Sequence, residues 1–436
     1  MGLLALMVAL VAGTWHFSPW FRTWALGKVD QARGAAIHYE LLDQVEARNI
    51  RQVMTADPSR SRVIQWQSDY PVKEPVLEYR KAGESSLTAA SVTEEKFTDG
   101  GKDTWIYTAR LEPLEPGQSY EYRIRAGKKA TAWMPLQAFA GNTFKALIFP
   151  DSQSADYSVW KATAQPAWQR NPDASFFVNM GDLVDNGEDS SQWNAWFGVV
   201  EPMAEKIPVA PLMGNHETYD LNWKVRMPEG YLHRFALPDN GREKYRNQFY
   251  SFTMGDVHFV VLNTQNEELK EWEPELARDQ EAWFQEDMAR NRGKWNIVLM
   301  HKDPLQYAFD PTTRPGRDRA EGFSPEGREW MPLFDRYGVD LVLSAHLHTY
   351  RNRGKIYDFQ RADRGPSYVI TGVAGDVRYP GLWKRHALDV TVAPQPETDN
   401  YLVLEKQEDQ LRIQCFLPDG TLVDTVTVRK SGEKAW

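Results

Sequence analysis

Phe176-Phe177-Val178-Asn179-Met180-Gly181-Asp182-Leu183-Val184-Asp185 is the stretch from which the fold can be read. Its consecutive apolar residues predict a strand buried on both faces, as in a sheet packed between other layers. A carboxylate-bearing turn follows at once. The same phrase recurs along the chain. Ala146-Leu147-Ile148-Phe149 runs into Asp151 and Gln153, and Val209 to Met213 runs into Gly214-Asn215-His216-Glu217. Ile297-Val298-Leu299-Met300 ends at His301, and Leu341-Val342-Leu343 leads to His346-Leu347-His348. Ligands of open α/β sheets bind outside the carboxyl ends of the strands, so these side chains are predicted to converge on one rim.

Taken singly, each has an ordinary structural role. An Asp after a strand caps a helix or makes a turn, and a single His is usually a hydrogen-bonded core residue. Together they are harder to account for, because carboxylates and imidazoles crowded at strand ends lie unpaired unless a cation holds them. Oxygen and imidazole donors suit Zn, Mn or Fe. A carboxylate can bridge two such ions about 3.5–4 Å apart, an arrangement that activates water and clamps the oxygens of an in-line displacement.

The rest of the chain sets bounds on this reading. A length of 436 residues predicts two or three domains. Most of the 17 Trp are expected in the core or at domain contacts. A net charge of -9 disfavours nucleic acid as the main partner. The single cysteine, Cys415, permits neither an intrachain disulfide nor a thiolate zinc cluster, and it fits a cytosolic as well as an exported protein. Leu3 to Gly13 has the length of a signal-peptide apolar region. Trp15, Phe17, Trp20, Phe21 and Trp24 follow it and suit a membrane interface, while His16, Pro19 and Arg22 interrupt any span of about 20 apolar residues. Residues 1–27 are therefore expected to be an export signal or membrane anchor.

Residues 28–50 are predicted to form a helical connector, with Ile37, Leu41, Leu42 and Val45 at helical spacing. Residues 51–140 alternate like short strands, for example Val76-Leu77-Glu78-Tyr79, and Pro116-Gly117 precedes alternating tyrosines. This texture fits a sandwich of the fibronectin type III kind, with Tyr120 as the candidate tyrosine corner. After 144 the pattern is α/β, and it closes in a β meander around Pro418-Asp419-Gly420.

Asp151-Ser152-Gln153, Gly181-Asp182 with Asp185, Gly214-Asn215-His216-Glu217, Met300-His301 and Ala345-His346-Leu347-His348 together resemble the five blocks of the calcineurin-like metallophosphoesterases. Arg51-Gln52-Val53-Met54-Thr55, Leu114 to Tyr120 and His348-Thr349-Tyr350-Arg351 resemble the purple acid phosphatase branch. The resemblance implies an α/β fold, a four-layer α/β/β/α sandwich over 144–436, preceded by the all-β fibronectin-like sandwich. It implies a phosphoester hydrolase, foremost a phosphomonoesterase acting on a small phosphorylated substrate, with a metal-bridging hydroxide as nucleophile. Two metal ions, of Fe, Mn or Zn, are implied. Asp151, Asp182 and His348 would hold the first, and Asp182, Asn215, His301 and His346 the second, with Asp182 as the bridge. His216 would stabilise the phosphoryl centre or protonate the leaving oxygen.

The chain departs from that pattern in three places. Asp185 stands where purple acid phosphatases carry a tyrosine ligand, so the purple charge-transfer band is expected to be missing. Gln153 replaces a common His, and its amide oxygen either ligates the first metal or bonds the bridging water. Ala345 replaces a Gly, which its backbone tolerates if φ is negative. For substrate binding, Asn215 and His216 are joined by His233, on a stretch that could overhang the site or serve structure. Lys302 and Arg351 could attract phosphate or pair with surface acids. His258 is expected in the core. A phosphodiesterase or nucleotide hydrolase would use the same blocks, and a metal-containing surface-binding protein without turnover is the reading from outside the enzymes.

Overall fold

The structure, a computed structural model, describes residues 14–15, 18–394 and 397–430. The Leu3–Gly13 run expected to direct export lies outside these residues. Among the described residues no helix is long and apolar enough to cross a membrane.

Two sheets stack face to face. The first has ten strands, in the order Leu422–Arg429, Gln410–Phe416, Tyr401–Gln407, Phe144–Phe149, Phe176–Asn179, Pro208–Pro211, Arg48–Val53, Arg62–Ser68, Lys102–Leu111 and Val92–Asp99. The second runs Tyr250–Met254, Val257–Leu262, Trp295–Met300, Leu341–Ser344, Ser367–Thr371, Tyr350–Tyr357 and Gln360–Arg361, with Thr391–Val392 beside Tyr350–Tyr357. Strands in the middle of each sheet bury both faces, and their side chains alternate between two cores. Phe259, Val261, Ile297, Leu299, Leu341 and Leu343 face the space between the sheets. Val260, Leu262, Val298, Met300 and Val342 face outward, under the helices Leu276–Arg290 and Pro325–Arg336. The helices Tyr157–Arg170 and Ser190–Ala204 cover the other outer face with Trp160, Trp193 and Trp196, all fully buried. The layers are thus α/β/β/α, as the strand pattern predicts.

The N-terminal sandwich closes a third core between a five-stranded sheet, centred on Pro75–Lys81 and Ser119–Ala126, and the far end of the ten-stranded sheet. The Tyr120 hydroxyl accepts the Glu115 N–H at 3.0 Å, the upstream backbone bond of a tyrosine corner. This sandwich shares a sheet with the α/β region. Arg48–Val53 pairs in parallel with Pro208–Pro211, Gln52 opposite Pro208 and Val53 opposite Val209. The N-terminal helix spans Pro19–His38, capped by Ser18, where the sequence pattern predicts a helical connector over 28–50. Leu41 and Leu42 keep helical spacing but stay exposed, because Glu40 turns to φ 59° and the chain leaves the helix for the strand Arg48–Val53.

Candidate metal centre

Every strand of the predicted rim ends at the same place. Asp151, Asp182, His301 and His348 are buried there, and His346 is half-buried. Asp182, His301 and His346 offer ligand atoms within 4.8 Å of one another, and so do Asp151, Asp182 and His348. Asp182 belongs to both groups. The Asp182 Oδ2 lies 3.3 Å from His301 Nε2, and the Asn215 Oδ1 lies 3.2 Å from the same nitrogen. His346 Nδ1 is 3.3 Å from it, while His348 Nε2 is 3.6 Å from Asp151 Oδ1.

The tight turns that deliver these groups carry unusual backbone. Asp182, His346 and His348 hold φ of 47°, 70° and 50°, a region sparsely used by residues other than glycine. Ala345 is not among the residues of positive φ, so its backbone accepts alanine in place of glycine. Gly181 is required twice over. Its φ is 93°, and a Cβ would collide with the His301 ring. A Cβ on Gly214 would strike the Asp182 carboxylate.

Glu217 ties two of these turns together. Its carboxylate accepts the N–H groups of Gly214 at 2.7 Å, Leu183 at 2.8 Å, Asp182 at 3.0 Å and Val184 at 3.3 Å. Burial still pushes its pKa up to about 7. No role for Glu217 follows from the motif that contains it. The available signal was an acid beside Asn215 and His216 with no cationic residue near it in sequence.

The donor set fits metal ions. His301 Nδ1–H donates to the Met180 carbonyl at 2.9 Å, and His348 Nδ1–H donates to the Val377 carbonyl at 2.7 Å. Both rings therefore aim Nε2 at carboxylates, the orientation that metal-ligating imidazoles take from a backbone partner. Gln153 Oε1 is buried without a hydrogen-bond partner. Lone pairs crowded in this way repel unless a cation lies among them.

The electrostatics without a cation reflect the crowding. Burial raises Asp151 to about 7. Burial also opposes ionisation of Asp182, but His301 and His216 hold it far below the ordinary carboxylate range. Burial would lower His301, yet Asp182 and Asp151 lift it to about 9. Burial lowers His348 to about 4, and burial together with His301 lowers His346 strongly.

His216 stands beside the cluster. Its backbone N–H donates to Asp182 Oδ1 at 2.9 Å, and its Nδ1 donates to the Asp185 carbonyl at 2.8 Å. The Asp185 carboxylate lies 3.3 Å from the same nitrogen. Burial alone would lower the imidazole, but Asp182 and Asp185 raise it to about 10. Its Nε2 lies 3.2 Å from the Gln153 amide nitrogen. Tyr219 and Trp223 meet the ring edge-on.

The other candidates lie elsewhere. His233 faces the sandwich, 3.0 Å from Glu95 and stacked on Phe97. Lys302 pairs with Glu268 at 2.7 Å, although it lines the cavity next to the centre. Arg351 is buried against Asp389 at 2.8 Å, and His258 is a core residue bonded to Asp287.

With that geometry in view, the comparisons with known proteins agree with it. Residues 144–350 match the model of the calcineurin-like phosphoesterases, and residues 47–140 match that of the purple acid phosphatase N-terminal domain. Acid phosphatase type 7 of Homo sapiens is 26% identical over 352 residues, covering 72% of this chain and 75% of that protein. Purple acid phosphatase 15 of Arabidopsis thaliana is 27% identical over 214 residues, covering 48% of this chain and 36% of its own length. The chain thus spans about a third of the length of that relative. The purple acid phosphatase PPD1 from yellow lupin (Lupinus luteus) seeds shares the fold, with a TM-score of 0.70 at 17% identity, covering 88% of this chain and 75% of that one.

The chain thus carries a calcineurin-like phosphoesterase domain over 144–350 and, before it, a purple acid phosphatase N-terminal domain over 47–140. That family implies a dinuclear metal centre.

Proposed function

We propose that this protein is a dinuclear-metal phosphoester hydrolase acting mainly on phosphomonoesters. The observation that carries the reading is the place of Asp182 in both ligand groups, since a shared carboxylate is what two adjacent cations need. Asp151, Asp182 and His348 would hold one ion, with the free Gln153 Oε1 completing it. Asp182, Asn215, His301 and His346 would hold the other. The mixed oxygen and imidazole donors suit Fe, Mn or Zn. When bound, such a pair supplies Lewis-acid charge that activates water and neutralises phosphoryl oxygens.

The chain's own groups do the rest. The Asn215 amide orients the phosphoryl group at the rim. His216, placed beside the centre by Asp182 and Asp185, stabilises charge on that group and serves as proton donor to the leaving oxygen. Asp185 holds the ring in place through Nδ1. With Asp185 standing where that family carries its tyrosine ligand, no visible charge-transfer band is expected.

The test is a metal-reconstituted protein assayed on phosphomonoesters, phosphodiesters and nucleotides, beside Asp182→Ala. The expected result is fastest turnover of monoesters, with metal content and rate both collapsing in the variant, the rate by at least about a thousandfold. A metal-loaded protein that turns over no phosphoester, or an Asp182→Ala protein with normal rate and metal content, would overturn the proposal. Faster turnover of diesters would move the substrate class.

A further inference from the structure

The centre opens into a cavity of about 490 Å³ whose lining includes Asn215, His346, Tyr219 and Tyr379. The same cavity is lined by Phe309, Arg314, Arg317 and Arg319 of the segment 309–319. Three arginines within six residues are unexpected in a chain of net charge -9. They match none of the five family blocks, so no motif marks them.

This segment is tied down. The Asp310 N–H donates to the Leu382 carbonyl at 2.8 Å, Lys384 N–H to the Ala308 carbonyl at 2.9 Å, and the Thr313 hydroxyl to the Gly381 carbonyl at 3.0 Å. Phe309 stacks on Trp383, and the Arg319 guanidinium lies 5.6 and 5.5 Å from those two rings. Gly316, at φ 75°, makes the turn between Arg314 and Arg317.

The acids that share the cavity are already engaged. Asp303 takes Arg353 at 2.7 Å, and Glu268 takes Lys302 at 2.7 Å, with Glu326 also 3.8 Å from Lys302. Asp310 accepts from the Thr312 N–H and hydroxyl, while Asp318 is exposed on the loop itself. Among the described residues Arg314 and Arg317 have no ion pair, and both are exposed. Two guanidinium groups facing the mouth of a phosphoester site offer forked donors to a dianionic oxygen group.

We propose that Arg314 and Arg317 form a second-anion subsite, so that the preferred substrates are phosphomonoesters bearing another phosphate on the leaving group. The proposal rests on the phosphoester reading of the centre. One phosphate occupies the buried rim, and the other reaches the arginine wall across the cavity.

The experiment compares the metal-loaded protein with Arg314→Gln/Arg317→Gln and with Arg314→Lys/Arg317→Lys. Binding is measured calorimetrically for propylenediphosphonate and propylphosphonate, and kcat/KM for fructose bisphosphate and fructose monophosphate. The wild type is expected to favour the doubly charged member of each pair by about tenfold. The glutamine variant should lose most of that preference through KM, with the singly charged ligands shifted less than about twofold. The lysine variant should keep part of it, and added salt should shrink it. An unchanged preference in the glutamine variant, or an equal loss on both members of a pair, would overturn the subsite. Arginine-dependent diphosphonate binding without any hydrolysis would keep the subsite and sink the activity. Hydrolysis with no arginine dependence would do the reverse.

Discussion

His258 and Asp287 are buried together, and their polar atoms are satisfied within the protein. His258 Nε2 donates to Asp287 Oδ2 at 2.7 Å, and the Thr253 hydroxyl lies 3.1 Å from His258 Nδ1. His301 and His348 differ, because backbone carbonyls take their Nδ1 protons and leave Nε2 facing carboxylates. The first arrangement holds structure, and the second asks for a cation. Burial works against ionisation of Asp287, but the hydrogen bond and charge of His258 hold its pKa below the ordinary value. A carboxyl depressed in this way contributes stability above its unfolded pKa, and that contribution is lost as pH falls through the folded value. Asp287→Asn is expected to cost about 2–3 kcal/mol at neutral pH in urea unfolding. The wild-type and variant stabilities should converge below about pH 4. A gap of constant size across that range would show that the ion pair is not the source.

At the scale of elements, five strand ends and the turns after them must be held in register with one another. Glu217 does this for two of them, since its carboxylate collects N–H groups from the Asp182 turn and from Gly214. A glutamine there has one oxygen in place of two and presents an N–H₂ to backbone donors. Glu217→Gln is expected to lower stability by about 2–3 kcal/mol and metal affinity by about tenfold or more. Titrating metal into apo protein, alongside urea unfolding, reads both. Loss of stability with metal affinity intact would mean that the turns keep their geometry without Glu217.

At the scale of the molecule, the sandwich and the α/β region share one sheet through Arg48–Val53 and Pro208–Pro211. Val53, Met54 and Val63 belong to the same core as the strands that deliver Asp151, Asp182 and Asn215. Arg51 is fully buried at this junction, donating to the Arg234 carbonyl at 2.9 and 2.6 Å beside Phe197 and Phe235. Removing the sandwich would expose Pro208–Pro211, the strand that leads to Asn215, as an open edge prone to pairing with other chains. The described protein is therefore expected to unfold in one calorimetric transition, with loss of metal and of tryptophan burial at the same temperature. A separate transition for the sandwich would show two independent units.

The strand-and-turn phrases make the layered fold and the convergence of Asp151, Asp182, Asn215, His301, His346 and His348 legible in the sequence, because burial on both faces and the ends of parallel strands leave a direct mark in the order of residues. Tyr120 could be read from a Pro-Gly turn for the same reason. Three features could not be read. The N-terminal helix stops at His38 because a left-handed Glu40 overrides the periodicity. The pairing of Arg48–Val53 with Pro208–Pro211 joins residues about 150 apart, which no local pattern records. The roles of Glu217, of Asp185 beside His216, and of Arg314 and Arg317 depend on which side chains meet across loops. Local sequence encodes the period and the ends of elements, whereas long-range pairing and the surroundings of a charge arise only when distant segments pack together.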